Sequence, residues 1–412
     1  MNQLLKFFTF SVAFVSSQHV LAIDPLATDT TWLFGDWNGN RQKLADQGYS
    51  FDINVMNQTA TLLDGGASNN HQTRNANQLW IGSKFDLEKI TNWKNTTAAL
   101  AITKRDGHNL ATDIGMQGSP TEIYGRGGIW RLSQAWIKSN FFDHKLDIKV
   151  GRMGISEDFN SSHCEFQSLT LCGDQVGKSQ GSVWYGAPVS GWAFNLKYHF
   201  SPEWTIGLGA YENNSKNVST TKSAGFNLGL KDTKGVLIPI ELLFKTNKFN
   251  QLDGHYKIGG FITTHKYQDI TLSNEVNNQE SAKASLWFSG QQQLTAKEVG
   301  SKRGLYGAFS FIFNDRDTVS ISDTQQIAFW YNGAINTRPN DQIGFGMGRY
   351  HFNQNAPGNS EKNQELDFEL HYTYQYSPAI MLRPNIQYIY RPAGLKQIDN
   401  AWVAGMSVKL HF

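Results

Sequence analysis

No stretch after residue 22 stays apolar for the roughly 20 residues a helix needs to cross a bilayer. With a mean hydropathy of −0.44 and 17% charged residues, the chain cannot be a helical membrane protein. Net charge is nearly absent as well. Lys and Arg number 37 against 35 Asp and Glu, giving +2, so no basic footprint for nucleic acid or a membrane surface exists and any electrostatic selectivity must be local. Proline is scarce, at 10, which leaves room for many uninterrupted strands. The 11 histidines include no H-E-x-x-H, and no serine or cysteine has an evident base partner, so enzyme chemistry has little to stand on. Gly177-Lys178-Ser179-Gln180-Gly181 does match G-x-S-x-G, but that motif works on a strand-to-helix turn of an α/β sheet and here it lies in a long loop. No cofactor is expected. The only cysteines, Cys164 and Cys172, are eight residues apart. In an exported chain they read as a disulfide pinning a loop rather than as free thiols. A metal site would need more ligands, and His163, which adjoins Cys164, gives no recognised spacing.

What is present begins with export. Residues 1–22 carry Lys6, an apolar stretch over 7–15 and the small-residue pattern Val20-Leu21-Ala22, which together read as a secretory signal peptide with the mature chain starting at Ile23. Loss of Lys6 brings the net charge to about +1. An exported chain without long apolar runs can span a membrane only as a closed barrel. The composition suits one: 13% aromatics and 38 glycines fit many strands, tight turns and aromatic girdles. At the other end Trp402, Ala404, Met406, Val408, Leu410 and Phe412 alternate with Val403, Gly405, Ser407, Lys409 and His411, apolar on one face and largely polar on the other. A terminal Phe on such a strand resembles the sorting signal of bacterial outer-membrane barrels.

Alternating segments predict sixteen strands, at about 49–61, 78–88, 97–106, 129–141, 144–153, 191–201, 203–213, 236–245, 254–266, 284–293, 304–314, 325–333, 342–352, 365–376, 380–391 and 400–412. Before them, 36–48 reads as a short helix capped by Asp36 and Gly48, within a periplasmic segment 23–48 that precedes the barrel 49–412. Short turns and long loops then largely alternate, as in outer-membrane barrels. The turns 246–253 and 294–303 are longer than ideal. Parity places Glu365, Asp367, Glu369, His371, Thr373 and Gln375 inward against Leu366, Phe368, Leu370, Tyr372, Tyr374 and Tyr376 outward. A soluble sandwich would also alternate, so strand number, signal peptide and terminal Phe decide for the membrane barrel.

Local motifs add a family. Leu33-Phe34-Gly35-Asp36-Trp37-Asn38-Gly39, Lys104-Arg105-Asp106-Gly107, Ile123-Tyr124-Gly125, Arg131-Leu132-Ser133, Lys149-Val150-Gly151-Arg152, the cysteine loop, Gly254-His255-Tyr256-Lys257-Ile258-Gly259-Gly260, Arg303-Gly304-Leu305 and Arg383-Pro384-Asn385-Ile386-Gln387-Tyr388 run in order across the mature chain. In these the chain resembles the carbohydrate-selective porins of the OprB family. The resemblance implies a sixteen-stranded channel of the Gram-negative outer membrane that passes glucose and similar sugars by diffusion.

The residues themselves suggest how. Arg105, Arg131 and Arg152 fall near the external ends of three adjacent strands, although Arg152 lies on the outward parity and needs a bulge at Gly151 to reach the lumen. Gln134 is a second polar exception. Acids to face the arginines could come from Asp106, Glu122, Glu241 and Glu369, with Arg391 also on the inward parity. Guanidinium and carboxylate groups together offer donors and acceptors to a neutral, hydroxyl-covered sugar. The 37-residue loop 154–190 would narrow the pore if folded inward, or otherwise serve as an external flap or oligomer latch. Expected partners are small sugars, outer-membrane lipid and the barrel-assembly machinery, with no nucleic acid, and the barrel could be a homotrimer or a monomer. A channel for other polar or anionic solutes is the main alternative, and an outer-membrane barrel enzyme a weaker one.

Overall fold

Sixteen antiparallel strands close into a barrel in which every strand pairs with its sequence neighbours and the last pairs with the first. The structure, a computed structural model, describes residues 24–412 except 69, 163, 174 and 271–279. The expected signal peptide and His163 lie outside the described residues. The strands are β1 (Tyr49–Gly66), β2 (Thr73–Asp86), β3 (Thr96–Gly107), β4 (Trp130–Phe141), β5 (Leu146–Met153), β6 (Gly191–His199), β7 (Trp204–Asn214) and β8 (Thr233–Phe249). They continue as β9 (Leu252–Gln268), β10 (Glu280–Gln293), β11 (Gly304–Asn314), β12 (Ile321–Asn332), β13 (Gln342–Phe352), β14 (Gln364–Ser377), β15 (Ile380–Tyr390) and β16 (Asp399–His411). Each lies on one of the sixteen expected segments. Closure runs in register from Asn54 opposite His411 to Leu62 opposite Val403.

One end of the barrel carries short connections and the other long ones. The link between β8 and β9, expected to be long, is two residues, because both strands run on further than their apolar alternation suggested. Asn250 and Gln251 adopt φ of 53° and 59°, the left-handed pair that a type I′ hairpin requires. The link 294–303 stays long.

Exposure along the strands is inverted relative to a soluble protein. On β14 Leu370 is 50% exposed while Glu369 beside it is fully buried. Ile240, Ile258, Leu286, Phe313 and Phe345 are exposed on the same outer surface. In water each such side chain would forgo about 1.5–3 kcal/mol of burial, so the medium outside this wall is hydrocarbon.

The segment ahead of β1 is tied to the seam where the barrel closes. It contains a short helix, α1 (Asn40–Asp46). The Arg41 guanidinium lies between the rings of Trp32 and Trp37, at 4.4 and 4.3 Å, and donates to the carbonyls of Phe51 and Phe412. Phe34 packs on Phe412 with ring centroids 4.8 Å apart. Two cation–π contacts are worth about 1–2 kcal/mol together. Arg41→Ala is therefore expected to make residues 24–48 about tenfold more accessible to limited proteolysis while the barrel stays resistant. An unchanged cleavage rate would count against this clamp.

Candidate functional site

Two loops from the long-loop end fold into the barrel because each carries an apolar side that matches an apolar stretch of inner wall. On 108–129, Leu110 and the single-turn helix holding Ala111 and Ile114 pack with Met116 against Ala60, Leu62, Ile389, Ala401 and Val403. Met153 at the end of β5, then Ile155, Phe159, Val176 and Trp184 of 154–190, pack against Ala193, Tyr211, Leu237, Phe261 and Trp287. The long loop therefore fills the lumen rather than lying outside as a flap. Cys164 and Cys172 are joined by a disulfide with Cα atoms 4.3 Å apart, closing the turn that reaches the opposite wall.

Wall carboxylates hold these loops by their backbones. Glu365 accepts hydrogen bonds from the N–H groups of Gln117, Gly118 and Ala393 at 2.7, 3.0 and 2.5 Å. Glu369 accepts from Gln167 and Ser168 at 2.9 and 2.6 Å, and Asp367 from the Thr170 hydroxyl at 2.5 Å. Across the lumen Glu241 accepts from the Asn160 N–H and the Trp287 indole, both at 2.8 Å. Near the start of the long loop, Lys149 bridges Glu157 and Asp158 at 3.1 and 2.9 Å, and Lys197 reaches Asp158 at 3.0 Å. Burial by itself would push the Asp158 carboxyl up, but Lys197 and Lys149 outweigh it and hold it below the ordinary carboxylate range.

The wall also makes room. The inner face of β13 reads Gly344, Gly346, Gly348, and a Cβ at Gly346 would lie 2.9 Å from Leu171 and one at Gly348 only 2.4 Å from Thr170. Glycine is needed here for close approach. Gly348→Val is expected to push 166–171 off the wall and to broaden the distribution of single-channel conductances, an overpacking cost of about 1–3 kcal/mol. A single conductance level like that of the parent would show that the loop does not depend on this gap.

Between the loops lies the narrow part. Arg105, half-buried on the inner face of β3, donates from Nε to Gln78 Oε1 at 2.7 Å and faces both Glu122 and Arg126 of loop 108–129. Glu122 faces Arg105, Arg383, Lys409 and Lys178, and burial raises its carboxyl above the ordinary range against the pull of those four cations. Its backbone N–H donates to the Gln167 carbonyl at 2.9 Å, and Arg126 Nη2 donates to the Gly181 carbonyl at 3.1 Å, so the two loops brace each other. On the mouth side a cavity of about 70 Å³ is lined by Arg105, exposed Tyr124, Gly125 and Gly127. Toward the turn end, Arg383 and Lys409 line a cavity of about 410 Å³ that shares Glu165 with a larger one of about 810 Å³. Donors, an acceptor and an aromatic ring thus gather where the two loops brace each other, between a small cavity on the mouth side and larger ones toward the turn end. Glu122 also lies within 4.8 Å of the Cys164 and Cys172 sulfurs, which are taken up in their disulfide, and among the described residues no triad-like arrangement joins the group.

The profile described as "Carbohydrate-selective porin, OprB family" matches residues 70–412. The chain belongs to that family. It is 47% identical to "Putative porin QuiX" of Acinetobacter baylyi over the full length of both, and 35% identical to "Porin B" of Pseudomonas aeruginosa, covering 95% of this chain and 93% of that one. The structure titled "High pH structure of Pseudomonas putida OprB" superposes with a TM-score of 0.90 at 36% identity, over 94% of this chain and all of that one. This OprB-family porin is thus a non-enzymatic channel of the Gram-negative outer membrane.

Within the OprB barrel the expected lining residues divide sharply. Arg105 and Glu122 lie near enough between the loops for each to feel the other's charge. Arg131 faces inward but is 2% exposed, donating to the carbonyls of Arg126, Asn217 and Ser219, so it fastens loops rather than meeting solute. Glu241 and Glu369 are likewise buried under the long loop. Arg152 is a clearer correction. No register shift occurs at Gly151, so Arg152 keeps its outward parity opposite Trp192 and pairs with Glu212 at 3.8 Å behind the wall. Asp106 has the outward parity of β3 and is exposed, 3.3 Å from Lys104, yet at the strand's end it also lines the mouth-side cavity with Arg105 and Tyr124. Arg391 is turned by a φ of 51° as β15 ends at Tyr390, and its guanidinium sits 5.1 Å from the ring of that outward tyrosine. Gln134, by contrast, is carried inward by a register shift of β4 against β3 between Ala101 and Ile102. Arg126, Lys178, Arg383 and Lys409 were missed. Parity marked Lys409 and could have marked Arg383, which shares the face of Asn385 and Gln387, whereas Arg126 sits in a glycine-rich loop where parity does not exist.

Proposed function

We propose that this porin passes monosaccharide-sized sugars by diffusion and selects them where Arg105, Glu122 and Arg126 converge. The observation that carries the reading is Glu122 set against Arg105 beside Tyr124. A hydroxyl can accept from a guanidinium while donating to a carboxylate, and the flat face of a pyranose can rest on the ring. Binding must be weak for transport to continue. Arg105 is already engaged with Gln78, so a sugar reaching it exchanges one hydrogen bond for another and gains little net affinity there.

A second reading, a channel for anionic polyhydroxy solutes, is favoured by the four cations that face Glu122. The buried acids of β14 oppose it, because Arg383 lies beside Glu369 and Lys178 beside Asp367. Liposome swelling with neutral hexoses and with the hexonates of the same size, combined with reversal potentials in a salt gradient, separates the two. Swelling at least as fast with hexoses, and a weak ion preference, is expected. Hexonates entering far faster with a strongly anion-selective reversal potential would overturn the sugar reading.

A further inference from the structure

The barrel wall is notched. β5 has 8 residues and β6 has 9, against 17 in β8 and β9, so above them the wall lacks strand. The connection 215–232 fills the gap, its first part reached by inward Arg131 through the Asn217 and Ser219 carbonyls and its later part running along the open edge. Leu132 N–H donates to the Gly225 carbonyl at 2.8 Å, and the outward Trp192 donates from its indole to the Leu228 carbonyl at 3.0 Å. Beneath this cover lies the Arg152–Glu212 pair, both side chains under 5% exposed although both stand on the lipid-facing parity. Glu212 accepts from Asn217 at 3.2 Å, fastening the cover to the pair it shields. A bare ion pair facing hydrocarbon would be costly, which gives the cover a structural reason to exist.

Its outer surface has a second property. Phe226, Leu228 and Leu230 are 53, 55 and 60% exposed, while Ala224 is buried and Asn227 bonds inward to Asn217 at 3.0 Å. The outward Trp192 donating to the Leu228 carbonyl seats this stretch beside the exposed outer face of β6, and Ile238 on β8 is exposed as well. Exposed Lys222, Lys231 and Lys234 border them. Apolar side chains flanked by cations at the mouth-side edge of the belt match an amphiphile with acyl chains and phosphate. Two copies of the chain meeting through this patch would instead crowd the lysines together.

We propose that the outer surface of 215–232 is a docking site for a phosphorylated glycolipid of the outer leaflet, with Phe226, Leu228 and Leu230 among its acyl chains and Lys222, Lys231 and Lys234 at its phosphates. The test uses the full-length porin in detergent, incubated with bisphosphorylated lipid A or with its dephosphorylated form, and counts retained adducts by native mass spectrometry. The wild type is expected to retain about tenfold more of the phosphorylated lipid. The triple substitution Lys222→Gln, Lys231→Gln, Lys234→Gln should erase that difference while heat-modifiable mobility shows an intact barrel. Phe226→Ser with Leu228→Ser and Leu230→Ser should lower retention of both forms. Equal retention of the two lipids by the wild type overturns the proposal without reliance on any variant. So does efficient disulfide crosslinking of Leu228→Cys into dimers, which would assign the patch to a second copy.

Discussion

Glu369→Ala is expected to convert the channel from a constricted pore into a wide, noisy one. The Glu369 carboxylate is fully buried and accepts two backbone hydrogen bonds from the tip of the long loop. Each bond to a charged acceptor contributes about 1.5–3 kcal/mol, so losing both should raise the detached fraction of the loop at least about a hundredfold. Alanine leaves the N–H groups of Gln167 and Ser168 without a partner in the closed arrangement, whereas in the open one water can reach them. Single-channel conductance in planar bilayers should rise severalfold, with frequent transitions between levels, and block by sugar should disappear. Glu369→Gln keeps a carbonyl oxygen for one of the two N–H groups and is expected to be intermediate. The ladder of β14 with β13 and β15 does not involve the side chain, so the barrel itself should assemble in both. Parental conductance in Glu369→Ala would show that apolar packing alone holds the loop.

The same residue shows what a sequence can and cannot disclose. Its inward direction was legible, because side chains of a strand alternate with period two and Glu369 shares a face with Glu365 and His371. So were all sixteen strands and the closure of the barrel. Its purpose was not legible, because the partner N–H groups lie about 200 positions away in a loop without periodicity. Glu241 and Arg131 fail in the same manner: parity sends them to the lumen, but loop backbone reaches them before solute can. Arg152 fails for a different reason. A cation on the lipid-facing parity looks intolerable, so a bulge to bring it inward is the natural expectation. The fold instead leaves the register unbroken and buries the charge against 215–232, with Glu212 as its partner. The resulting wall is charged inside and apolar outside, with one ion pair buried on the outward parity against a loop, an arrangement that strand parity alone does not encode.

The constriction gives the decisive functional expectation. Arg105→Ala and Arg126→Ala should each weaken sugar block of the ion current about tenfold, the share of a charged hydrogen bond left after desolvation is subtracted. Open-channel conductance should stay equal or increase, since a large side chain leaves the narrow part. Glu122→Gln retains an acceptor and adds a donor, so it should weaken block less than either arginine change while shifting ion preference toward anions. Arg131→Ala provides the contrast. That guanidinium is buried among the carbonyls of Arg126, Asn217 and Ser219, and its removal leaves three acceptors unsatisfied beneath the loops. It should lower the temperature at which the barrel loses its heat-modifiable mobility and scatter the conductance, with sugar affinity changed only in channels whose loops have moved. A selective loss of block in Arg105→Ala and Arg126→Ala, beside a stability defect in Arg131→Ala, fits solute contact at the first two alone. Unchanged sugar affinity in both Arg105→Ala and Arg126→Ala would refute the assignment, and would move selection to Arg383 and Lys409 in the cavity below.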